Sequence, residues 1–180
     1  MTTHVEERPG AAHELGEQLT VVGRPLYVGG TAPEFVLETL DPSSGATKTV
    51  RLADTAGRVR LLNLVNSLDT PVCNVETRHW DALRAELPDD VHMLTISMDL
   101  PFAQARWCAV AGVGHQALSA HKDEEFGRAY GALIKDWRLL QRAVFVVDRA
   151  GRLTYAEYIA DQMSEPNYDA AMAAVRAAAR

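Results

Sequence analysis

The chain has 180 residues, of which 47% are apolar and 23% charged, with a formal net charge of −6. That balance is the composition of a soluble globular domain, and its negative sign argues against a nucleic-acid or anionic-membrane surface, which would favour a basic patch. No apolar run approaches membrane-spanning length and the N-terminus has no apolar targeting segment, so no membrane association and an intracellular, cytoplasmic protein are expected.

Residues 1–17 are polar and carry Pro9, Gly10 and Gly16. They are expected to form a flexible arm ahead of one domain over 18–180. The segment 19–29 reads as two short strands around Gly23-Arg24-Pro25, an N-terminal β-hairpin. Residues 31–40 read as a turn and a short extended piece, and 47–54 as a weak strand. Residues 58–66, "RVRLLNLVN", form a near-continuous apolar run, the pattern of a strand buried on both faces. The helix that follows, over 73–87, places Val75, His79, Trp80, Leu83 and Leu87 along one face, with Pro88 as its stop. Residues 91–98 repeat the buried-strand pattern. Asp99 is positioned to cap the next helix, which carries "FAQARWCAVA" and ends at Gly112 and Gly114. A short helix is expected within 124–133, a hairpin of 143–148 and 152–159 about Arg149-Ala150-Gly151, and an Ala-rich helix over 167–180. Strand-helix-strand-helix followed by a hairpin and a helix implies an α/β fold around a central mixed sheet flanked by helices.

The chain has two cysteines, Cys73 and Cys108, with no CxxC, and its six histidines show no paired metal-ligand spacing. Neither a disulfide scaffold nor a zinc site is expected. Cys73 falls where a buried strand ends and a helix begins. Backbone N–H groups point outward there, and the helix dipole lowers a thiol pKa and favours the nucleophilic thiolate. Thr70 stands three residues earlier, and Pro71 stiffens the turn between them. On position alone Cys73 is either a reactive thiol or a small buried hydrophobe, while Cys108 beside Trp107 reads as a core residue. Arg142 before a strand reads by itself as a solvated or ion-paired edge residue.

The segments "SLDTPVC" and "MDLPFAQARWC" together resemble those of the thiol peroxidases, a branch of the peroxiredoxins, with further matches at 28–37, 142–148 and 165–175. The resemblance runs from about residue 19 to the C-terminus and implies a thioredoxin-like fold. It makes Cys73 the peroxidatic cysteine, Thr70 its hydroxyl partner, Arg142 the active-site arginine and Cys108 the resolving cysteine of an intramolecular Cys73–Cys108 disulfide. It also implies hydrogen peroxide and alkyl hydroperoxides as substrates, thioredoxin or a similar dithiol protein as reductant, a homodimer, and no metal, haem or flavin cofactor. Closure of that disulfide needs Cα atoms about 4.4–6.8 Å apart; where the reduced cysteines lie further apart than that, the first turn at Cys73 and the end of the Cys108 helix must unwind locally.

The sequence departs from the family at one position. Four residues before Thr70 the family carries proline, and this chain carries Asn66, an amide with an added backbone N–H. Asn66 keeps a second reading open, a thiol redox sensor or adaptor with weak peroxidase turnover. A third is an interaction module of the same fold with inert thiols.

Overall fold

The computed structural model describes residues 6–180. Its elements in chain order are β1 (Glu7–Glu14), β2 (Glu17–Val22), β3 (Val36–Leu40), β4 (Thr47–Arg51), a 3-10 turn (Leu52–Thr55), β5 (Val59–Leu64), α1 (Pro71–Arg84), β6 (Val91–Ser97), α2 (Pro101–Ala111), β7 (Gln116–Ser119), α3 (Glu125–Ala129), β8 (Leu133–Ile134), β9 (Leu139–Leu140), β10 (Ala143–Val147), β11 (Leu153–Tyr158) and α4 (Tyr168–Ala179). Seven strands make one sheet in the order β11-β10-β5-β6-β7-β3-β4, and four make a second in the order β1-β2-β8-β9. In the large sheet β5, β6 and β7 are parallel and the other pairings antiparallel.

Every residue of β5 is buried, because the large sheet is covered on both faces. Val59 and Leu61 point with Val144 and Val146 toward Trp80 of α1 and Ala171, Met172 and Val175 of α4. Leu62 and Leu64 point with Phe145 and Val147 to the opposite side, where Phe35, Phe126 and Tyr130 pack. The two-residue period of the strand thus divides one apolar run between two cores. The carboxyl end of β5 is left at the rim, and the chain turns there into α1.

Four sequence expectations are corrected. Residues 7–14 of the expected arm form strand β1, with Ala12 in a core of Leu19, Val21 and Ile134; residues 1–5 lie outside the described residues. The N-terminal hairpin is therefore β1–β2 and not residues 19–29. Its two-residue loop is Leu15-Gly16, with φ of 48° and 91°, the pair of positive values a tight primed turn needs. "ELGE" lacks the usual Asn-Gly signal, so polarity concealed the strand. On α1 the buried side chains are Cys73, Glu76, Thr77 and Trp80, while Val75 is exposed, so the inward face is turned from the apolar one read in the sequence. Asp99 does not cap α2, whose N-cap is Leu100 with no side-chain bond. The Asp99 carboxylate instead accepts from Ser67 Oγ at 2.7 Å, Leu68 N at 2.9 Å and Ser97 Oγ at 2.7 Å, tying β6 to the loop before α1. Strands β7, β8 and β9 had no sequence counterpart.

Candidate active site

The loop Asn66–Thr70 carries the chain from β5 to α1. Thr70 is the N-cap residue, in extended conformation, and Pro71 sits in the first helical turn, where its missing N–H costs no bond. The Thr70 hydroxyl donates to Ser67 O at 2.8 Å and so closes the loop on itself. Cys73 follows on the first turn of α1, completely buried in a cluster with Val65, Leu68 and Trp107. Its Sγ lies 3.9 Å from Asn66 Oδ1 in donor geometry.

Arg142 is not a solvated edge residue. It is 1% exposed and forms an ion pair, through Nη1, with the fully buried Glu76 of α1. Nη2 donates to Gln162 O at 2.8 Å, and the Arg142 backbone N–H donates to Gln162 Oε1 at 2.9 Å. Burial pulls the guanidinium pKa down, but Glu76 and the Cys73 sulfur together hold it above its ordinary value. Burial likewise pushes the Glu76 carboxyl up to about 7 against the pull of Arg142. The pair therefore gains ionisation as pH rises through neutrality, and as pH falls Glu76 progressively ceases to compensate the Arg142 charge beside the sulfur.

Cys108 lies on the last turn of α2, half-buried, and packs against the Cys73 cluster; both thiols are free. Its carbonyl accepts from the N–H of Gly112, the left-handed C-cap, and from Val113 N at 3.1 Å. Burial, and then the charge of Asp81, pushes the Cys108 thiol up to about 11. From α1, Arg78 Nη1 donates to Ala111 O at 2.9 Å and its guanidinium lies 5.7 Å from the Trp107 ring centre. Asp81 accepts from Gly114 N at 2.9 Å and His115 N at 3.1 Å. The Cys73 helix thus holds the end of the Cys108 helix in place.

The structure brings Cys73, Arg142 and Asn66 to one point and sets Cys108 against the same apolar cluster, while the Thr70 hydroxyl is engaged in the loop. Sequence reasoning missed Glu76 and Gln162. Glu76 was findable: three residues after Cys73 on a helix it shares that face, and a buried carboxylate requires a cationic partner. Gln162 lies in an irregular segment with no local signal.

Residues 27–172 match the redoxin family model. The chain belongs to the redoxin family. Within it the chain falls in the thiol-peroxidase branch of the peroxiredoxins. It is 45% identical over 163 residues to the thiol peroxidase of Streptococcus parasanguinis, covering 90% of this chain and 96% of that one. Against the thiol peroxidase of Bacillus subtilis strain 168 it is 42% identical, covering 90% and 94%. Among solved structures, a peroxiredoxin-like protein from Aquifex aeolicus superposes with a TM-score of 0.81 at 32% identity, over 97% of this chain and 98% of that one. The fold expected from the sequence, thioredoxin-like with a mixed sheet flanked by helices, is the one observed.

Proposed function

We propose that the protein is a thiol-dependent peroxidase that reduces hydrogen peroxide and alkyl hydroperoxides through Cys73. The observation that carries the reading is the sulfur on the first turn of α1 with the buried Arg142 charge against it. Helix N-terminus and guanidinium both favour the thiolate, and the guanidinium also suits peroxide oxygens as a donor. The thiolate attacks one peroxide oxygen, the S–O bond forms as the O–O bond breaks, and the departing oxygen leaves protonated as water or alcohol. Sulfur loses two electrons and becomes a sulfenic acid. The Cys108 thiolate then attacks that sulfur, the S–S bond forms, and the sulfenic oxygen leaves as water. Thioredoxin or a similar dithiol supplies two electrons and two protons to reopen the disulfide, becoming oxidised itself.

The burial of Cys73 and the raised pKa of Cys108 belong to a closed, reduced state. Release of the last turn of α2 exposes Cys108 to water, returns its thiol toward ordinary acidity and allows the sulfurs to meet. A homodimer and a cytoplasmic setting belong to the same reading. Exposed Leu100 and Phe102 at the start of α2 supply apolar surface for the first, and two free thiols suit a reducing compartment.

The test is stopped-flow oxidation of the pre-reduced protein, with Cys73→Ser and Cys108→Ser variants. Cys73→Ser should abolish peroxide consumption, and Cys108→Ser should stop at the sulfenic acid after one turnover. Oxidation no faster than that of a free thiol sinks the peroxidase reading. The Asn66 amide facing Cys73, where the family carries proline, supports one second reading, a redox sensor with weak peroxidase turnover. Rapid oxidation that thioredoxin cannot reverse would select it.

A further inference from the structure

Asn66 is 4% exposed, and the direction of its side-chain amide is fixed by what surrounds the nitrogen. Nδ2 donates to Leu140 O at 2.7 Å and to Gln162 Oε1 at 3.0 Å. Gln162 is itself locked. Its Nε2 donates to Ile159 O at 2.7 Å and Ala160 O at 3.1 Å, and its Oε1 accepts from the Arg142 N–H. Turning the Asn66 amide over would set its oxygen against two acceptors, so the hydrogen-bond network assigns the nitrogen to that side. The oxygen is left facing Cys73 Sγ at 3.9 Å.

An amide oxygen accepts from an S–H but repels a thiolate. We infer that Asn66 is a positioning residue that holds Cys73 as the protonated thiol in the closed state and thereby slows its uptake of peroxide. The inference rests on Cys73 being the reactive thiol. Asn66 works against Arg142, whose charge favours the thiolate, and on the same side as Glu76, which neutralises Arg142. The other ionisable groups about the sulfur are Cys108, packed against its cluster, and Asp99, bound to the loop at Leu68 N. Replacement by proline costs no backbone hydrogen bond, because the Asn66 N–H takes part in none of those of the described residues, and it withdraws the side-chain donor from Leu140 O and Gln162 Oε1.

The test uses Cys108→Ser protein, in which Cys73 is the one remaining thiol, with Asn66, Asn66→Pro or Asn66→Ala. Thiolate absorbance is titrated against pH, with the spectrum of the doubly serine-substituted protein subtracted. Loss of the acceptor should lower the Cys73 pKa by roughly half to one unit, and at pH below it should raise the oxidation rate about three- to tenfold. A pKa unchanged or raised in both variants overturns the inference. The S–H stretching band of Cys73 in the protein with Asn66 intact gives a second readout that needs no substitution at position 66. A band displaced to low frequency supports the bond, and a free-thiol band or no S–H band at neutral pH overturns it. Slow oxidation by peroxide in all three proteins defeats the peroxidase reading, while the titration still decides the role of Asn66.

Discussion

Glu76 and Arg142, 66 residues apart in sequence, form a buried ion pair beside the Cys73 sulfur, and the proton affinity of one sets the charge the other presents. With the Glu76 carboxyl at about 7, acidification through neutrality uncovers the Arg142 charge and favours the thiolate. Glu76→Gln should fix that state. Its Cys73 thiol should titrate at lower pH, and its peroxide rate should lose the inflection near pH 7. Stopped-flow rates across that range check both.

Removing Arg142 tests the pair from the other side. In Arg142→Met, Glu76 meets burial without a counter-charge and stays protonated at neutral pH. A carboxyl whose folded pKa is raised contributes stability that is full below its unfolded value of 4.5 and is lost as pH rises through the folded one. The variant should therefore be most stable in acid and lose about 3–5 kcal/mol relative to the parent above neutrality. Urea unfolding at several pH values measures this, and Cys73 oxidation should slow throughout.

Arg78 links the two cysteine helices through Ala111 O and the Trp107 ring. Arg78→Ala should cost about 1 kcal/mol of stability and loosen the final turn of α2. Sulfenic acid formation at Cys73 should keep its rate, while closure to the disulfide should accelerate severalfold in single-turnover tryptophan fluorescence. Slower closure would mean that Arg78 aligns the sulfurs instead of restraining them.

His115 is buried, with Nδ1 3.1 Å from Asp81 Oδ1 and Nε2 2.7 Å from Thr95 Oγ1. Burial holds its pKa below the ordinary 6.5, against the pull of Asp81. Between the folded pKa and 6.5 the unfolded chain binds the extra proton, so stability is full above 6.5 and falls with acidification below it. His115→Gln should remove that fall in denaturant midpoints measured across mildly acidic pH.

Gly23, with φ of 102°, is where β2 leaves its sheet, and a Cβ there would lie 2.1 Å from Arg128 O. The obstacle is backbone, which cannot step aside. Gly23→Ala should cost about 2–3 kcal/mol and lower Tm by roughly 5–10 °C. Gly57 also has positive φ but no neighbour within 4 Å, so Gly57→Ala should cost less, about 1 kcal/mol.

The large sheet was legible because each of its central strands had to be buried on two faces. The runs 58–66, 91–98 and 143–148 are predominantly apolar with few interruptions, and the Asp148–Gly151 turn closes the last into a hairpin. The small sheet was not legible. Its β8 and β9 are two residues each, and β1 buries little beyond Ala12. Cys73 and Cys108 stand where the two helix ends were expected, but their pairing came from the resemblance and not from spacing. Arg142 looked like an edge residue because the glutamate that allows its burial is distant in sequence. Gln162 acts wholly through tertiary contacts, which no local pattern announces.

The Asn66–Gln162 bond joins positions 96 residues apart and also engages the Arg142 backbone. A chain with proline at position 66 has no amide to present to Gln162 Oε1, and a buried polar atom that loses a partner is selected against. Asparagine at 66 is therefore expected to occur together with glutamine at 162 among relatives, while proline at 66 should occur with another residue at 162 only where a different acceptor meets the Arg142 N–H. Counted across a family alignment, that joint occurrence would mark the evolutionary lineage in which the amide entered the site.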